Sequence, residues 1–425
     1  MASTRKLIAG LGLVLVVGAI VAHRYSNVGI AFDGEGYYAY LPAWFVQHDP
    51  TFTTYVAEHP NAQAMGILFP QSNGHFLDKY SVGTALLILP FFLAGEAVAL
   101  LTGTSAGGFG TASQIALSLS MIAFCLAGVW ALHRVLLRSF TPAVSLMTIG
   151  CVLFGTDLFH QVTHEPAFSH AYTFGLVSLL LLASVRRHEG DHTLRLAAGI
   201  GALCGFIVIV RPVNVVLLPF VFLVGITSWE SAMRRVRGAL GSWRPCAAGL
   251  GAALAVIAPQ IVVWLIATGR PIVYSYGDNH EYFEFSHPHI VDVLFSFGPH
   301  GLLPWSPVLI LVPLGLWPLR RYAPHLVLPL LVVLPLNLYV VASWYQWWYG
   351  GGFGLRPFID SLPFMALPLA AVLAWARRPL ARAAVWGFGA ACTALTLVLM
   401  YHYWRRQIAP DGISAREYVR VVFHH

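Results

Sequence analysis

The sequence predicts an all-α protein that crosses a membrane about 11 times, with an upper bound of roughly 13. Three observations carry this expectation. Hydrophobic residues make up 57% of the 425 positions and charged residues only 10%, too few polar groups to coat a soluble core. The mean hydropathy is +0.69. Apolar runs of spanning length recur along the chain, separated by short turns that carry pairs and triplets of arginine.

The first run, 6–22, follows Arg5 and Lys6 and resembles a signal peptide. It continues to 22 with no convincing cleavage site after it, so it reads as a retained first span. Runs at 112–134, 142–159, 166–185, 193–210, 213–228, 245–267, 301–318, 324–343, 358–376 and 383–402 complete the set. A further run, 82–103, is equally apolar but holds Pro90 and Glu96. Charge counting decides how to treat it. With a cytoplasmic N-terminus and 82–103 not crossing, 16 of the 25 Lys and Arg residues lie in cytoplasmic turns; if it crosses, nine do, against the positive-inside bias. The run is therefore expected to be re-entrant or surface-lying. It belongs to a long first outer loop, 23–111, whose aromatic segments suggest helices along the membrane surface. Residues 1–402 form one transmembrane domain on this reading, and 403–425 a short tail whose four arginines do not fit the bias.

Cys125, Cys151, Cys204, Cys246 and Cys392 sit in or beside apolar runs, well apart from one another, and read as buried small hydrophobes. The basic residues alternate with spans and so act as topology signals, which argues against nucleic-acid binding. There is no internal repeat. Polar chemistry concentrates on the outer side: of 18 acidic residues only Glu189, Asp191 and Glu230 fall on the other.

Four outer stretches carry candidate chemistry. In "AFDGEGYYAYLPA" (31–43), Asp33 and Glu35 are one residue apart at a membrane surface, where carboxylates are held by a metal, a cation or a reaction. Asp33 could simply cap the helix that follows; alternatively it is a general base, with Glu35 tuning it or sharing a divalent metal, Mg or Mn. In "THEPAFSHAY", His164 and Glu165 either cap helix ends or bind substrate or metal, and His170 lies about a turn inside the next span, where an ionisable group leans functional. "SWYQWWYGGGFGLRP" (343–357) is the most specific stretch. Trp344 and Trp347 alone would be interfacial anchors, but with Tyr349, a glycine run including Gly351, and Arg356 they describe an aromatic wall, close backbone donors and a fork for phosphate oxygens. Arg211 in "VRPVN" and Lys79 in "LDKYSVG" are further cations able to reach a phosphate, or, for Arg211, to snorkel to headgroups.

Taken together, these residues resemble the GT-C membrane glycosyltransferases, in particular the bacterial relatives of protein O-mannosyltransferases and of lipid A aminoarabinose transferases. The resemblance extends over the chain in topology, but in motif only over 31–43, 159–170, 211–214 and 343–357. It implies a GT-C-like fold and an enzyme that uses a polyprenyl-phosphate-linked sugar as donor and a glycan, lipid or protein as acceptor. Asp33 would be the acceptor's base, with Arg356 and either Arg211 or Lys79 on the departing phosphate. Two departures stand out. Gly34 separates Asp33 from Glu35, whereas the protein mannosyltransferases have an adjacent Asp-Glu. "WWYGG" is like the Trp-Trp-Asp-Tyr-Gly motif of oligosaccharyltransferases, but that motif lies in a soluble domain this chain lacks.

The resemblance further implies an inverting transfer at the outer face of the plasma (cytoplasmic) membrane, with the lipid bilayer delivering the donor. The leading alternative is a multi-pass transporter or flippase of lipid-linked sugars. Such proteins tend towards internal symmetry and midplane charges, which this sequence does not display. A hydrolase of the same lipids would need similar residues.

Overall fold

The computed structural model describes residues 2–25, 30–241, 243–277 and 280–423. The chain is an integral membrane protein whose described residues are mostly helical, with one short hairpin and irregular loops such as 269–289 and 343–355. Helix α1 (Ala2–Tyr25) leads to α2 (Asp33–Phe45), α3 (Thr53–Glu58), α4 (Pro60–Ala64) and the antiparallel pair β1 (Leu68–Pro70) and β2 (Phe76–Asp78). Next come α5 (Gly83–Thr102), α6 (Thr111–Leu136), α7 (Pro142–Phe154), α8 (Leu158–His164), α9 (His170–His188) and α10 (Leu194–Val210). Then follow α11 (Pro219–Leu223), α12 (Trp229–Gly241), α13 (Trp243–Thr268), α14 (Ile290–Phe295), α15 (Leu302–Trp305) and α16 (Leu311–Tyr322). The chain ends with α17 (Val327–Ala342), α18 (Leu362–Trp375), α19 (Pro379–Trp404) and α20 (Ala415–Phe423).

By length and composition, 7 helices of the described residues can cross a membrane, or 8 if the bent pair α7 and α8 is one span. That is fewer than the sequence predicted; of the four predicted runs outside the count, 166–185 and 193–210 form the unbroken helices α9 and α10, and proline breaks the other two. The run 301–318 breaks into α15, a 3-10 turn at Pro307–Ile310 and the 12-residue α16. The run 213–228 becomes a 3-10 turn at Pro212–Leu217 and the five-residue α11. Each proline removes a backbone donor and clashes with the preceding turn, so an apolar run of the right length need not be one helix. The region 142–164 bends by 58° between α7 and α8, which puts the end of α8 inside the bundle.

Small residues set the packing, as expected where lipid is as apolar as the side chains. Added Cβ atoms on Gly201 and Gly315 would collide with the backbone of Gly249 and Pro368, joining α10 to α13 and α16 to α18. Almost all of α18 is buried, so it is the central post. α6 and α9 run in the same direction, with Ser120 bonded to Tyr172 and Gly128 against Gly175.

α5 has the length and apolarity of a span, and close contacts at both its start and its middle lie at one end of the bundle. Gly83 packs on the backbone of Ile209 and Val210 at the end of α10, and the N–H of Val82 donates to Gln260 at 2.8 Å. Farther along, Gly95 packs on Ala112, Ser113 and Ala116 at the start of α6. These points lie at the end of the bundle where α9 begins.

Candidate active site

α2 presents Asp33 in its first turn, but the side chain does not cap the helix: Phe32 is the N-cap and no side-chain cap bond forms. Asp33 faces inward instead. Its Oδ2 accepts from Arg356 Nη2 at 2.7 Å and its Oδ1 from the Tyr80 hydroxyl at 2.7 Å. The glycines of the "DGEG" stretch permit this docking. A Cβ on Gly34 would meet Ala167 at 2.9 Å, and one on Gly36 would meet the Tyr80 ring at 2.2 Å. Burial raises the Asp33 carboxyl, but Arg356, the Tyr80 bond, Lys79 and Arg211 outweigh it and hold Asp33 below the usual carboxylate range.

Arg356 opens a 3-10 turn just before α18. Besides Asp33 it donates to the Tyr349 carbonyl at 2.8 Å and lies over the Phe168 ring, 4.9 Å from its centroid. A planar guanidinium held from three sides in this way is pre-organised.

A second charged unit stands beside the first. Arg211, in the extended residue that ends α10, pairs through Nε with Asp360 Oδ2 at 3.2 Å. Asp360, 1% exposed, also accepts from Asn214 at 2.9 Å and from His170 Nδ1 at 3.0 Å. With Nδ1 donating, His170 Nε2 is the acceptor that faces Arg211 Nη1 at 3.2 Å. Ser169 Oγ at 3.3 Å and the Tyr37 hydroxyl at 3.5 Å complete the hold on that nitrogen. A third unit pairs Lys79 with Glu281 at 3.1 Å, the ammonium lying near the Tyr80 and Tyr276 rings.

All three cations border one cavity of about 660 Å³, together with Asp33, Tyr80 and His170. Its other wall is apolar and aromatic, including Val216, Trp264, Phe283, Phe285, Val340 and Trp344. The arrangement joins two carboxylates, Asp33 and Glu281, three paired cations and a greasy wall, a set that suits a ligand with an anionic head and an apolar tail. Each cation already has a carboxylate partner, so an incoming anion must compete for it.

Of the residues singled out in the sequence, Asp33, Lys79, His170, Arg211, Trp344, Tyr349 and Arg356 line this cavity. Glu35 is not among the lining residues. Two positions along a helix is a turn of about 200°, so it points away from Asp33, towards Tyr55 and Asp78, where burial raises its carboxyl against the Tyr55 contact. Trp347 packs on Trp348 and His289. Gly351 packs on Pro410, not on the cavity, and the next residue donates its N–H to the Pro410 carbonyl. In the glycine run it is Gly350 that borders the cavity, at φ 77°, while Gly354, at φ 71°, lets the backbone pass Asp157. His164 is stacked on Trp404 at 4.0 Å, and Glu165 bonds Gln161 and faces His160 at 3.5 Å. Asp33, Glu35, His164 and Glu165 therefore do not gather into a ligand set, and among the described residues no group of three or more His, Cys, Asp or Glu could hold a metal ion.

Sequence reasoning missed Tyr80, Asp360, Asn214 and Glu281. Asp360 had a signal: an acidic residue inside the predicted span 358–376 is costly unless it works. Tyr80 and Glu281 had none, because only folding brings them to the site.

The fold is that of a polytopic helical membrane protein with a GT-C-like arrangement of helices. The apo crystal structure of the Archaeoglobus fulgidus oligosaccharyltransferase is similar to it with a TM-score of 0.50 at 12% identity, covering 95% of this chain and 56% of that one. An archaeal oligosaccharyltransferase AglB from Archaeoglobus fulgidus, in complex with an inhibitory peptide and a dolichol-phosphate, gives 0.48 at 11% identity with 95% and 56% covered. The chain thus spans little over half the length of these structures, and at 12% identity the likeness to the apo structure is one of fold alone. No family model matches the chain, and no curated protein matches it.

Proposed function

We propose that this chain is an inverting glycosyltransferase that moves a sugar from a polyprenyl-phosphate donor to an acceptor hydroxyl at the outer face of the plasma membrane. The observation that carries the reading is the 2.7 Å contact between Asp33 and Arg356, 323 residues apart in sequence and joined at one cavity. Fold likeness to oligosaccharyltransferases supports the class of reaction by analogy only.

In the resting state Arg356 masks Asp33. A donor phosphate entering the cavity competes for Arg356, with Arg211 beside it, and thereby releases the Asp33 carboxylate. Losing that partner also raises the proton affinity of Asp33, which makes it a better base when the donor is in place. Asp33 then takes the proton of the acceptor hydroxyl as the new bond forms at the anomeric carbon. The bond from that carbon to the phosphate oxygen breaks, and its electron pair leaves with the phosphate, whose growing charge falls on Arg356 and Arg211. Attack from the side opposite the phosphate inverts the anomeric centre. The wall of Val216, Trp264, Phe283 and Val340 would shelter the first prenyl units.

The outer-face assignment rests on the Lys and Arg distribution, and the contacts of α5 at one end of the bundle support a re-entrant 82–103. The test is transfer by purified protein given radiolabelled polyprenyl-phosphate sugars and a membrane extract, wild type against Asp33→Asn. Unchanged transfer in the variant removes Asp33 from this role. Release of free sugar at the same rate without acceptor would mark a hydrolase instead.

A further inference from the structure

The opposite end of the bundle carries a feature that the transfer reaction does not use. A second cavity, of about 580 Å³, lies where α12 meets the ends of α16 and α17. It is polar at one end, with Thr227, Ser228 and Arg320, and apolar along the rest, with Val327, Leu328 and Leu331. These three residues follow α17 from its first turn towards the bilayer interior, since its other end leads to Trp344 at the Asp33 cavity. The groove therefore descends from the membrane surface into hydrocarbon.

The polar end is basic and unneutralised. Among the described residues Arg320 has no ion pair and no hydrogen bond, and Arg321 beside it lies over the Trp317 ring. α12 brings Arg234, Arg235 and Arg237 to the same end, and the acids of this face are paired with other arginines: Glu230 with Arg234, Glu189 with Arg138 and Asp191 with Arg186. Arg235 reaches back to the carbonyls of Val221 and Val224, which fixes the start of α12 over the groove. Trp229, 78% exposed, stands at the mouth as an interfacial aromatic. A cation at headgroup depth above an apolar furrow of this direction matches one kind of molecule in shape and charge.

We propose that this groove is a binding site for an anionic glycerophospholipid, with its phosphate on Arg320 and an acyl chain along Val327, Leu328 and Leu331. The site is independent of the transferase reading, because no residue is shared between the two cavities.

The experiment uses the full chain in detergent, titrated with dioleoyl phosphatidylglycerol or dioleoyl phosphatidylcholine, with bound lipid counted by native mass spectrometry. Wild type should retain the anionic lipid in preference. Arg320→Gln, an exposed change that the fold tolerates, should weaken that lipid roughly fivefold and remove most of the preference. Leu328→Trp, which fills the groove from its lipid side, should lower retention of both lipids. Equal retention of the two lipids by wild type, or an unchanged preference in Arg320→Gln, overturns the proposal, and so does undiminished binding in Leu328→Trp.

Discussion

Replacing Arg356 by glutamine removes the charge that both masks Asp33 and, on the proposed mechanism, meets the phosphate. The two losses act in opposite directions and can be separated. Arg356 is 13% exposed on its side chain and sits in a fixed geometry, so its loss resembles deletion of one pre-organised donor to a developing anion, about 3 kcal/mol in the barrier. That predicts a fall in kcat of roughly 10²-fold. Unmasking Asp33 works the other way. In wild type the carboxyl lies below the usual carboxylate range although burial alone would raise it, because Arg356 leads the groups that lower it. Without Arg356 the acid limb of kcat/KM, which reports the free enzyme, should move to higher pH, since activity is lost as pH falls through the Asp33 pKa. The folded state should lose little, because Asp33 is 33% exposed on its side chain and can hydrate when unpaired. The assay is transfer from a radiolabelled donor across pH 3 to 8, with thermal unfolding as the control. A variant that keeps kcat within a few-fold, or whose acid limb does not move, refutes the idea that Arg356 governs both groups.

Asp33→Asn should lose about 10²- to 10⁴-fold in kcat with Arg356 still in place, measured in the same assay. Glu35→Gln should leave transfer close to wild type, because Glu35 does not line the cavity. Gly36→Ala places a Cβ 2.2 Å from the Tyr80 ring and should cost about 1–3 kcal/mol in stability while displacing the Tyr80 bond to Asp33; Gly352→Ala, with nothing within 4 Å, is the matched control, and melting curves compare them. Asp360→Asn should weaken the hold on Arg211 and raise the KM for the donor more than it changes the acid limb set by Asp33, a split that steady-state kinetics reads directly. A topology reporter fused at residue 107 should read as external.

Much of this protein was legible in its sequence because the information is local. Hydropathy fixes that the chain lives in a membrane, and the arginine pairs are the local signal on which the proposed orientation rests. The stretches 31–43 and 343–357 stand out because carboxylates and an arginine beside glycines are expensive at a membrane surface. Where the local rule has two answers the sequence reading strayed. Apolar length alone cannot tell a span from a proline-broken chain, so 301–318 and 213–228 were counted whole. A D-x-E pair looks like one site when written out, yet on a helix its two side chains point apart.

The tertiary structure decided what no local pattern holds. It set Asp33 against Arg356, brought Asp360 to Arg211 and Glu281 to Lys79, and inserted Tyr80 over Gly36. These pairings span up to 323 residues and depend on how glycine-lined helices close on one another, with each buried charge requiring a partner. Periodicity tells which residues a helix can offer to its neighbours, whereas the identity of the neighbour is fixed only when the whole bundle packs.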